Sequence, residues 1–187
     1  MDKQLLLNAL REKLPPKRLE HSLNVASSAA QLAHHYRTDE AKAYYAGLAH
    51  DICKCTDADE MTQILQQSGY IFLDCEQGST NLLHGPAGAE FLRQSGLCDD
   101  EEILNAVRYH STGRAGMNLL EKIVFIADLI SAERDYPDVD IVRKLAFKDL
   151  NKTMYYILQY IVDDLTRKGM PVHPNSIKCL EKLNVHL

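Results

Sequence analysis

Apolar residues recur at three- and four-residue spacing along almost the whole chain, and this periodicity constrains the fold more than any other feature. Between residues 17 and 36, for example, Leu19, Leu23, Ala26 and Ala30 fall on one face of a helix. The chain has no alternating run of β-branched residues flanked by turn dipeptides, which is the pattern of a strand. We therefore expect an all-α fold in which about eight to ten helices share one core.

Proline, glycine and capping residues predict where these helices begin and end. The first apolar stripe stops before Pro15-Pro16, because proline removes helix hydrogen bonds. Asp39 and Asp57 are placed to cap two later helices, and Gly69 suits the left-handed position that closes a helix. We expect an irregular segment over 70–81 and helices over about 17–36, 39–52, 57–68, 82–95, 99–110, 118–132, 138–167 (as one helix or two) and 175–184.

Length and composition are those of one globular domain. The chain has 187 residues, of which 45% are hydrophobic and 25% are charged. A compact chain of this length buries roughly 70% of its unfolded surface, which provides a core without disulfides. We expect a single domain over residues 1–187, with its motifs within about residues 17–178.

Charge, apolar runs and cysteine spacing exclude several classes of protein. A net charge of −5 argues against a nonspecific nucleic acid-binding protein, which needs a basic surface. The apolar runs are far shorter than the about 20 residues of a membrane span, and the first residues lack the pattern of a secretory signal. The five cysteines are odd in number and irregularly spaced, which indicates reduced thiols in a cytoplasmic protein.

An adjacent histidine and aspartate stand out at the end of a small apolar helical run. His50-Asp51 follows residues 46–49, which read Ala-Gly-Leu-Ala. A neutral imidazole and a carboxylate suit the same divalent metals, although a helix-terminal ion pair is the better explanation of an isolated His-Asp pair.

Four further residues strengthen the metal hypothesis. His21, His84 and His110 lie within or beside apolar helical patterns, and His84-Gly85-Pro86 has the pattern of a turn that opens a helix. Asp128 directly follows the apolar residues 123–127. A buried carboxylate is costly unless it is paired or bound to a cation, so Asp128 is either a ligand or an exposed helix position.

The order of one histidine, a His-Asp pair, two single histidines and an aspartate resembles the HD-domain phosphohydrolase superfamily. Five segments are, more specifically, similar to the YqeK-type bacterial symmetrical diadenosine tetraphosphatases. They are His50-Asp51-Ile52-Cys53-Lys54, His84-Gly85-Pro86, Tyr109-His110-Ser111-Thr112-Gly113-Arg114, Lys122-Ile123-(x)4-Asp128 and Arg134-Asp135-Tyr136-Pro137. Ser111 stands where we expect threonine, and both residues carry a hydroxyl group.

The resemblance implies an all-α HD-domain bundle that binds two metal ions, most consistently iron. One ion is expected on His21, His50, Asp51 and Asp128, and the second on Asp51, His84 and His110. Asp51 takes the bridging role because a carboxylate has two oxygens, whereas an imidazole cannot bridge two ions. Manganese, cobalt or zinc also fit this ligand set.

The reaction implied by the resemblance is symmetrical hydrolysis of diadenosine tetraphosphate to two ADP. Two metal ions would provide a hydroxide that attacks an inner phosphorus. Asp51, Lys54 and Arg134 are the predicted catalytic residues, and local cations must hold the phosphates because the protein is acidic. The predicted substrate-binding residues are His21, Lys54, His84, His110, Ser111, Arg114, Asp128, Arg134, Tyr136, His173 and Pro174, the last two in a tail segment similar to a loop near the nucleotide base.

Other functions remain open at this stage. The chain could be another HD phosphohydrolase acting on a nucleoside phosphate or a cyclic nucleotide, or a non-catalytic nucleotide-binding HD protein. A helical adaptor without metal is disfavoured, because it has no need of six ordered ligand-type residues. We expect a small-molecule dinucleoside polyphosphate as substrate and ADP as product, no nucleic acid or membrane partner, and a state compatible with a homodimer.

Overall fold

The computed structural model describes residues 2–184, and within this range the regular structure is entirely helical. A single 3₁₀ turn at Asp74–Glu76 interrupts the irregular segment before the fifth helix. The all-α prediction is confirmed. The ten helices are α1 (Lys3–Lys13), α2 (Pro16–His35), α3 (Glu40–Ala49), α4 (Ala58–Gln67), α5 (Thr80–Gln94), α6 (Glu101–Arg108), α7 (Leu119–Ile130), α8 (Val139–Ala146), α9 (Leu150–Arg167) and α10 (Pro174–Asn184).

The predicted capping residues do cap their helices. The Asp39 carboxylate accepts a hydrogen bond from the backbone N–H of Lys42, and the Asp57 carboxylate accepts one from Glu60. Gly69 closes α4 with φ of +72°, a conformation that side chains other than glycine rarely adopt. These local signals therefore place α3 and α4 correctly.

Two helix predictions need refinement. Residues 138–167 form two helices rather than one, because the Asp149 side chain caps a new start by accepting a hydrogen bond from Lys152 N. The expected helix opening at His84-Gly85-Pro86 is wrong, because Pro86 lies inside α5 and His84 is already helical. Nine of the fifteen α5 residues are buried, so tertiary packing outweighs the cost of an internal proline.

Close helix crossings hold the core together around its small residues. A Cβ atom on Gly47 of α3 would lie 3.0 Å from Ala26 Cα of α2, and one on Gly85 of α5 would lie 2.8 Å from the Arg108 carbonyl oxygen of α6. Large side chains such as Phe125 of α7 are also fully buried in the core. The crossings bring α2, α3, α5, α6 and α7 close enough for their polar side chains to meet.

Within the described residues, no helix has both the length and the apolar character needed to cross a membrane.

Candidate metal centre

Six side chains from five separate parts of the chain converge in the middle of the helix bundle. One lies inside α2, one inside α5 and one near the end of α7. Two lie in the turn that follows α3, and one in the turn that follows α6. All are buried except the aspartate of α7, which is partly buried. We call this set the His/Asp cluster: His21, His50, Asp51, His84, His110 and Asp128.

The two carboxylate oxygens of Asp51 face different pairs of histidines. Asp51 Oδ2 lies 3.6 Å from His50 Nε2 and 3.9 Å from His21 Nε2. Asp51 Oδ1 lies 3.2 Å from His84 Nε2 and 3.6 Å from His110 Nε2. The cluster therefore has two halves that share one carboxylate.

Asp128 belongs to the half that contains His21 and His50. Its Oδ1 atom lies 3.0 Å from His21 Nε2 and 3.9 Å from His50 Nε2. Asp128 sits on the last turn of α7, whose preceding residues, from Ile123 to Ala127, are fully buried apolar side chains. The apolar run noted in the sequence thus carries the carboxylate into the interior.

Backbone carbonyl oxygens orient three of the histidine rings. The Nδ1 atoms of His50 and His110 each lie 2.7 Å from a carbonyl oxygen, of Gly47 and Val107 respectively. His84 Nδ1 lies 3.1 Å from the Thr80 carbonyl oxygen. A carbonyl can only accept a hydrogen bond, so each Nδ1 carries the proton and each Nε2 presents a lone pair to the cluster.

The fourth ring is oriented by a carboxylate that the sequence reading missed. His21 Nδ1 contacts the Glu133 carboxylate, which also accepts hydrogen bonds from Asn24 Nδ2 at 2.8 Å and Ser131 Oγ at 2.7 Å. A carboxylate behind a metal-binding histidine is a common supporting contact in metal sites. The available signal was the position of Glu133 directly before Arg134.

The residues present fit bound cations. His50 Nε2 is buried and has no hydrogen-bond partner among the described residues. His84 Nε2 and His110 Nε2 lie 3.0 Å apart, so two lone pairs face each other unless a proton or a cation lies between or beside them. Three groups have ligand atoms within 4.8 Å of one another: His21, His50 and Asp51; His50, His110 and Asp128; and Asp51, His84 and His110.

The protonation preferences of the cluster also suit cation binding. Burial lowers the pKa of His50 to about 4 and also lowers the pKa of His84, so both rings are neutral at pH 7. Burial by itself raises the pKa of the Asp51 carboxyl, but positive charge on the surrounding histidine rings lowers it well below its usual range, and a cation held by the neutral rings would keep the carboxylate ionised in the same way.

The His21 ring carries a proton more readily than its neighbours. Burial lowers its pKa, but hydrogen bonds to Asp128 and Glu133 outweigh burial and raise the pKa. A cation bound at His21 Nε2 would take the place of that proton.

Three positively charged side chains lie at the edge of the cluster. Lys54 Nζ is 3.4 Å from His84 Nε2, and Arg134 pairs with the Asp128 carboxylate while its Nε donates to the Asp128 carbonyl oxygen at 2.7 Å. Arg18, which the sequence reading did not single out, places Nη1 3.6 Å from Asp51 Oδ2. Its position three residues before His21, on the same face of α2, was the signal that could have identified it.

The remaining predicted substrate-binding residues have other partners. Arg114 donates two hydrogen bonds of 2.7 Å to the fully buried Glu121 carboxylate, which favours a structural role over the predicted substrate contact. His173 is buried 3.2 Å from Glu76, which favours tail packing over nucleotide contact.

The predicted substrate-binding roles of Tyr136, Ser111 and Pro174 stay predictions. The Tyr136 hydroxyl donates to the Leu129 carbonyl oxygen at 3.0 Å, and Ser111 Oγ is buried without a hydrogen-bond partner among the described residues. Pro174 opens α10.

The chain is similar to a known domain family and to several well-defined relatives. The HD domain family model matches residues 18–133. A symmetrical bis(5'-nucleosyl)-tetraphosphatase of Staphylococcus aureus is 40% identical over 176 residues, covering 93% of this chain and 90% of the relative. The Bacillus subtilis protein of the same name is 35% identical, covering 94% of each chain.

A solved structure shows the same fold over the full length. It is a crystal structure from Clostridium acetobutylicum described as a predicted HD superfamily hydrolase involved in NAD metabolism, with a TM-score of 0.96 and 36% identity. The match covers 100% of this chain and 99% of that one. The chain therefore belongs to the HD domain family and, within it, to the family of symmetrical bis(5'-nucleosyl)-tetraphosphatases.

Proposed function

We propose that this protein is a metal-dependent hydrolase that cleaves diadenosine tetraphosphate symmetrically to two ADP. The observation that carries the proposal is the division of the Asp51 oxygens between two pairs of histidines. Relatives that carry this activity in their names are 35–40% identical over nearly the whole chain. The domain would comprise the whole chain, and its free thiols are typical of a cytoplasmic protein.

The ligand set proposed for two metal ions is the His/Asp cluster. His21, His50 and Asp128 would hold one ion, His84 and His110 the other, and Asp51 would bridge them. Iron is our first choice, and manganese, cobalt and zinc suit the same nitrogen and oxygen donors. When bound, such a pair lowers the pKa of water and polarises phosphoryl oxygens.

The side chains around the cluster would bind the phosphate chain. Arg134 offers a planar guanidinium that can grip phosphate with two donors, whereas Lys54 acts as a point charge beside His84. Arg18 is partly exposed next to Asp51 and would add a third positive charge. Because the protein carries a net charge of −5, these local cations must supply the attraction for an anionic substrate.

The proposed step consumes one water molecule. The water oxygen forms a bond to one inner phosphorus, and the bond from that phosphorus to the central bridging oxygen breaks. The bridging oxygen leaves on the terminal phosphate of one ADP, the water oxygen remains on the other, and the protons of the water pass to the solvent. A phosphate oxygen is a good leaving group, so no separate proton donor is required.

Product identification together with metal analysis tests the proposal. Purified protein is assayed for metal content, then incubated with diadenosine tetraphosphate, and the nucleotides are separated by chromatography. ADP as the single nucleotide product supports the proposal, whereas ATP with AMP would contradict symmetrical cleavage. Turnover of a nucleoside monophosphate or cyclic nucleotide without cleavage of diadenosine tetraphosphate would instead support a different HD phosphohydrolase, and tight ADP binding without turnover would support a nucleotide-binding protein.

A further inference from the structure

One side of α9 carries a stripe of large and charged side chains that the rest of the described chain leaves partly uncovered. Tyr160 is 66% exposed and Tyr156 is 41% exposed, whereas Ile157 and Leu158, on the other side of α9, are buried. The members of the stripe recur at three- and four-residue spacing and therefore share one side of the helix. We call this set the α9 face: Lys152, Tyr155, Tyr156, Gln159, Tyr160 and Asp163.

Tyr156 and Tyr160 line two neighbouring grooves, and we call this pair the tyrosine ridge. A largely apolar groove of about 300 Å³ is lined also by Leu129 and Val142. A second groove, of about 480 Å³, lies where Leu145 of α8 approaches α9. Side chains four residues apart form the ridges by which one helix packs into the grooves of another, and tyrosine is enriched at protein interfaces. The α9 face therefore has the shape of a surface on which a second helix packs.

The α9 face ends in two opposite charges that have no ion-pair partner among the described residues. Lys152 lies at one end and Asp163 at the other, and the Asp163 carboxylate accepts a hydrogen bond of 2.8 Å from the uncharged Gln159 amide. The adjacent Asp164, by contrast, pairs with Lys168. Lys152 and Asp163 are eleven residues apart, about three turns, so they lie on the same side of the helix with the tyrosines between them.

The α9 face is complementary to itself when it is turned end for end. The midpoint between Lys152 and Asp163 falls between residues 157 and 158, and the midpoint between Tyr156 and Tyr160 falls at residue 158. A twofold axis at this position, perpendicular to α9, would place Lys152 opposite the partner's Asp163 and Tyr156 opposite the partner's Tyr160. Each contact would then occur twice, as in the self-complementary interface of a symmetric dimer. A different partner would need the same pattern in reverse, whereas a second copy of this chain already carries it.

We propose that the α9 face is the interface of a homodimer in which two α9 helices pack antiparallel. The tyrosine ridge of each copy lies against the ridge and grooves of the other, and an ion pair between Lys152 and the partner's Asp163 closes each end. An aromatic centre with a charged rim is the usual composition of a protein interface. The inference does not depend on the proposed function, because no member of the α9 face belongs to the His/Asp cluster.

Charge reversal tests the pairing of Lys152 with the partner's Asp163. Sedimentation velocity over a wide range of protein concentrations gives the dissociation constant of the dimer. Lys152→Asp and Asp163→Lys should each raise this constant about tenfold, because two attractive pairs become repulsive. An equimolar mixture of the two variants should restore a dimer of wild-type affinity, because each copy then meets its opposite charges. Lys17→Asp, at an exposed position on α2, is the control and should leave the constant unchanged.

Substitution of Tyr160 tests the tyrosine ridge. Tyr160→Ala should raise the dissociation constant about tenfold or more, because aromatic contacts at the centre of an interface carry most of its binding energy. Tyr160→Phe keeps the ring and should retain the wild-type constant. Tyr44→Ala removes a ring from α3, outside the α9 face, and should leave the dimer intact. Circular dichroism checks that each variant keeps its helical content.

Three results would overturn the proposal. The first is a wild-type protein that stays monomeric at every concentration, which would leave the α9 face to a different partner. The second is a wild-type dimer whose dissociation constant none of the variants changes, because the contact would then lie on another surface. The third is a mixture of the two charge variants that stays monomeric although each variant is folded, because the antiparallel pairing would then be wrong.

Discussion

Asp51 is the residue at which the two halves of the His/Asp cluster meet. Its carboxylate is almost fully buried, and an isolated buried carboxylate is strongly destabilising. Four imidazole nitrogens and the Arg18 guanidinium lie within 4 Å of its two oxygens, so the Arg18 charge, and a cation held by the imidazoles, would favour the ionised form. Removing its charge should therefore affect both halves at once.

We expect Asp51→Asn to lose bound metal and hydrolytic activity while keeping the fold, because an amide has nearly the same volume but no negative charge. Metal content by mass spectrometry and helical content by circular dichroism are the two measurements. Asp57→Asn is the matched control, since asparagine also caps a helix and Asp57 caps α4. Normal metal content and rate in Asp51→Asn would refute the bridging role.

Arg134→Gln should lower kcat/KM for diadenosine tetraphosphate about 100-fold without changing metal content, because it removes a charged donor to the phosphates but no metal ligand. Arg134→Lys should recover part of the loss, because the lysine ammonium keeps the positive charge but cannot donate two parallel hydrogen bonds to a phosphate. Arg11→Gln, an exposed position on α1, provides the control. Loss of metal or of helical content in Arg134→Gln would show instead that Arg134 supports the cluster structurally.

Cys53 and Cys55 should differ sharply in reactivity. Burial raises the pKa of the Cys53 thiol from 9.0 to about 11, whereas Cys55 is exposed. At about pH 7.5, we expect iodoacetamide to label Cys55 and to leave Cys53 unmodified until the protein unfolds. Because the folded pKa is the higher one, the contribution of Cys53 to stability is complete below pH 9.0 and falls as the pH rises toward about 11. Peptide mass spectrometry measures the labelling, and equal labelling of both thiols in the native protein would contradict it.

At the level of helices, the crossing of α5 and α6 determines where His84 and His110 meet. Gly85 allows the approach, because a Cβ atom there would lie 2.8 Å from the Arg108 carbonyl oxygen and 3.2 Å from the Val107 carbonyl oxygen. Both obstacles are backbone atoms, which cannot move without shifting α6. A substitution in α5 can therefore disturb the cluster without touching a ligand.

Gly85→Ala should destabilise the protein by about 1–3 kcal/mol and weaken metal binding at His84 and His110, because the helices must separate. Gly88→Ala, three residues further along α5, should have a much smaller effect, since its nearest neighbour is the Ile52 side chain at 3.3 Å. Urea denaturation measures the free energy of unfolding of both variants. Equal stabilities would show that α6 accommodates the extra methyl group.

At the scale of the whole molecule, the His/Asp cluster joins five separate parts of the chain. A ligand that binds only the folded state stabilises it, by about 2.7 kcal/mol at a hundred times its Kd. Without cations, the lone pairs of His84 and His110 and the carboxylates of Asp51 and Asp128 must find other compensation. Stability and activity should thus depend on the same ions.

Removing metal with a chelator should abolish hydrolysis and lower the Tm by about 5–10 °C, given the size of the chain. Adding iron, manganese, cobalt or zinc should restore activity to different degrees. Differential scanning fluorimetry with and without chelator measures the shift, and Asp51→Asn should show little shift. An unchanged Tm in the wild-type protein would mean that metal does not stabilise this fold.

The sequence by itself determined the helical class, most helix ends and the residue types of the His/Asp cluster. Periodicity, proline, glycine and capping aspartates act over a few residues, so Asp39, Asp57 and Gly69 could be read correctly from their neighbours alone. The tertiary structure decided which side chains meet. It placed His84 inside α5, paired Arg114 with Glu121, and brought Arg18 and Glu133 to the cluster. These outcomes depend on how distant helices pack, and helix packing is set by contacts between residues far apart in the chain, which local patterns do not report.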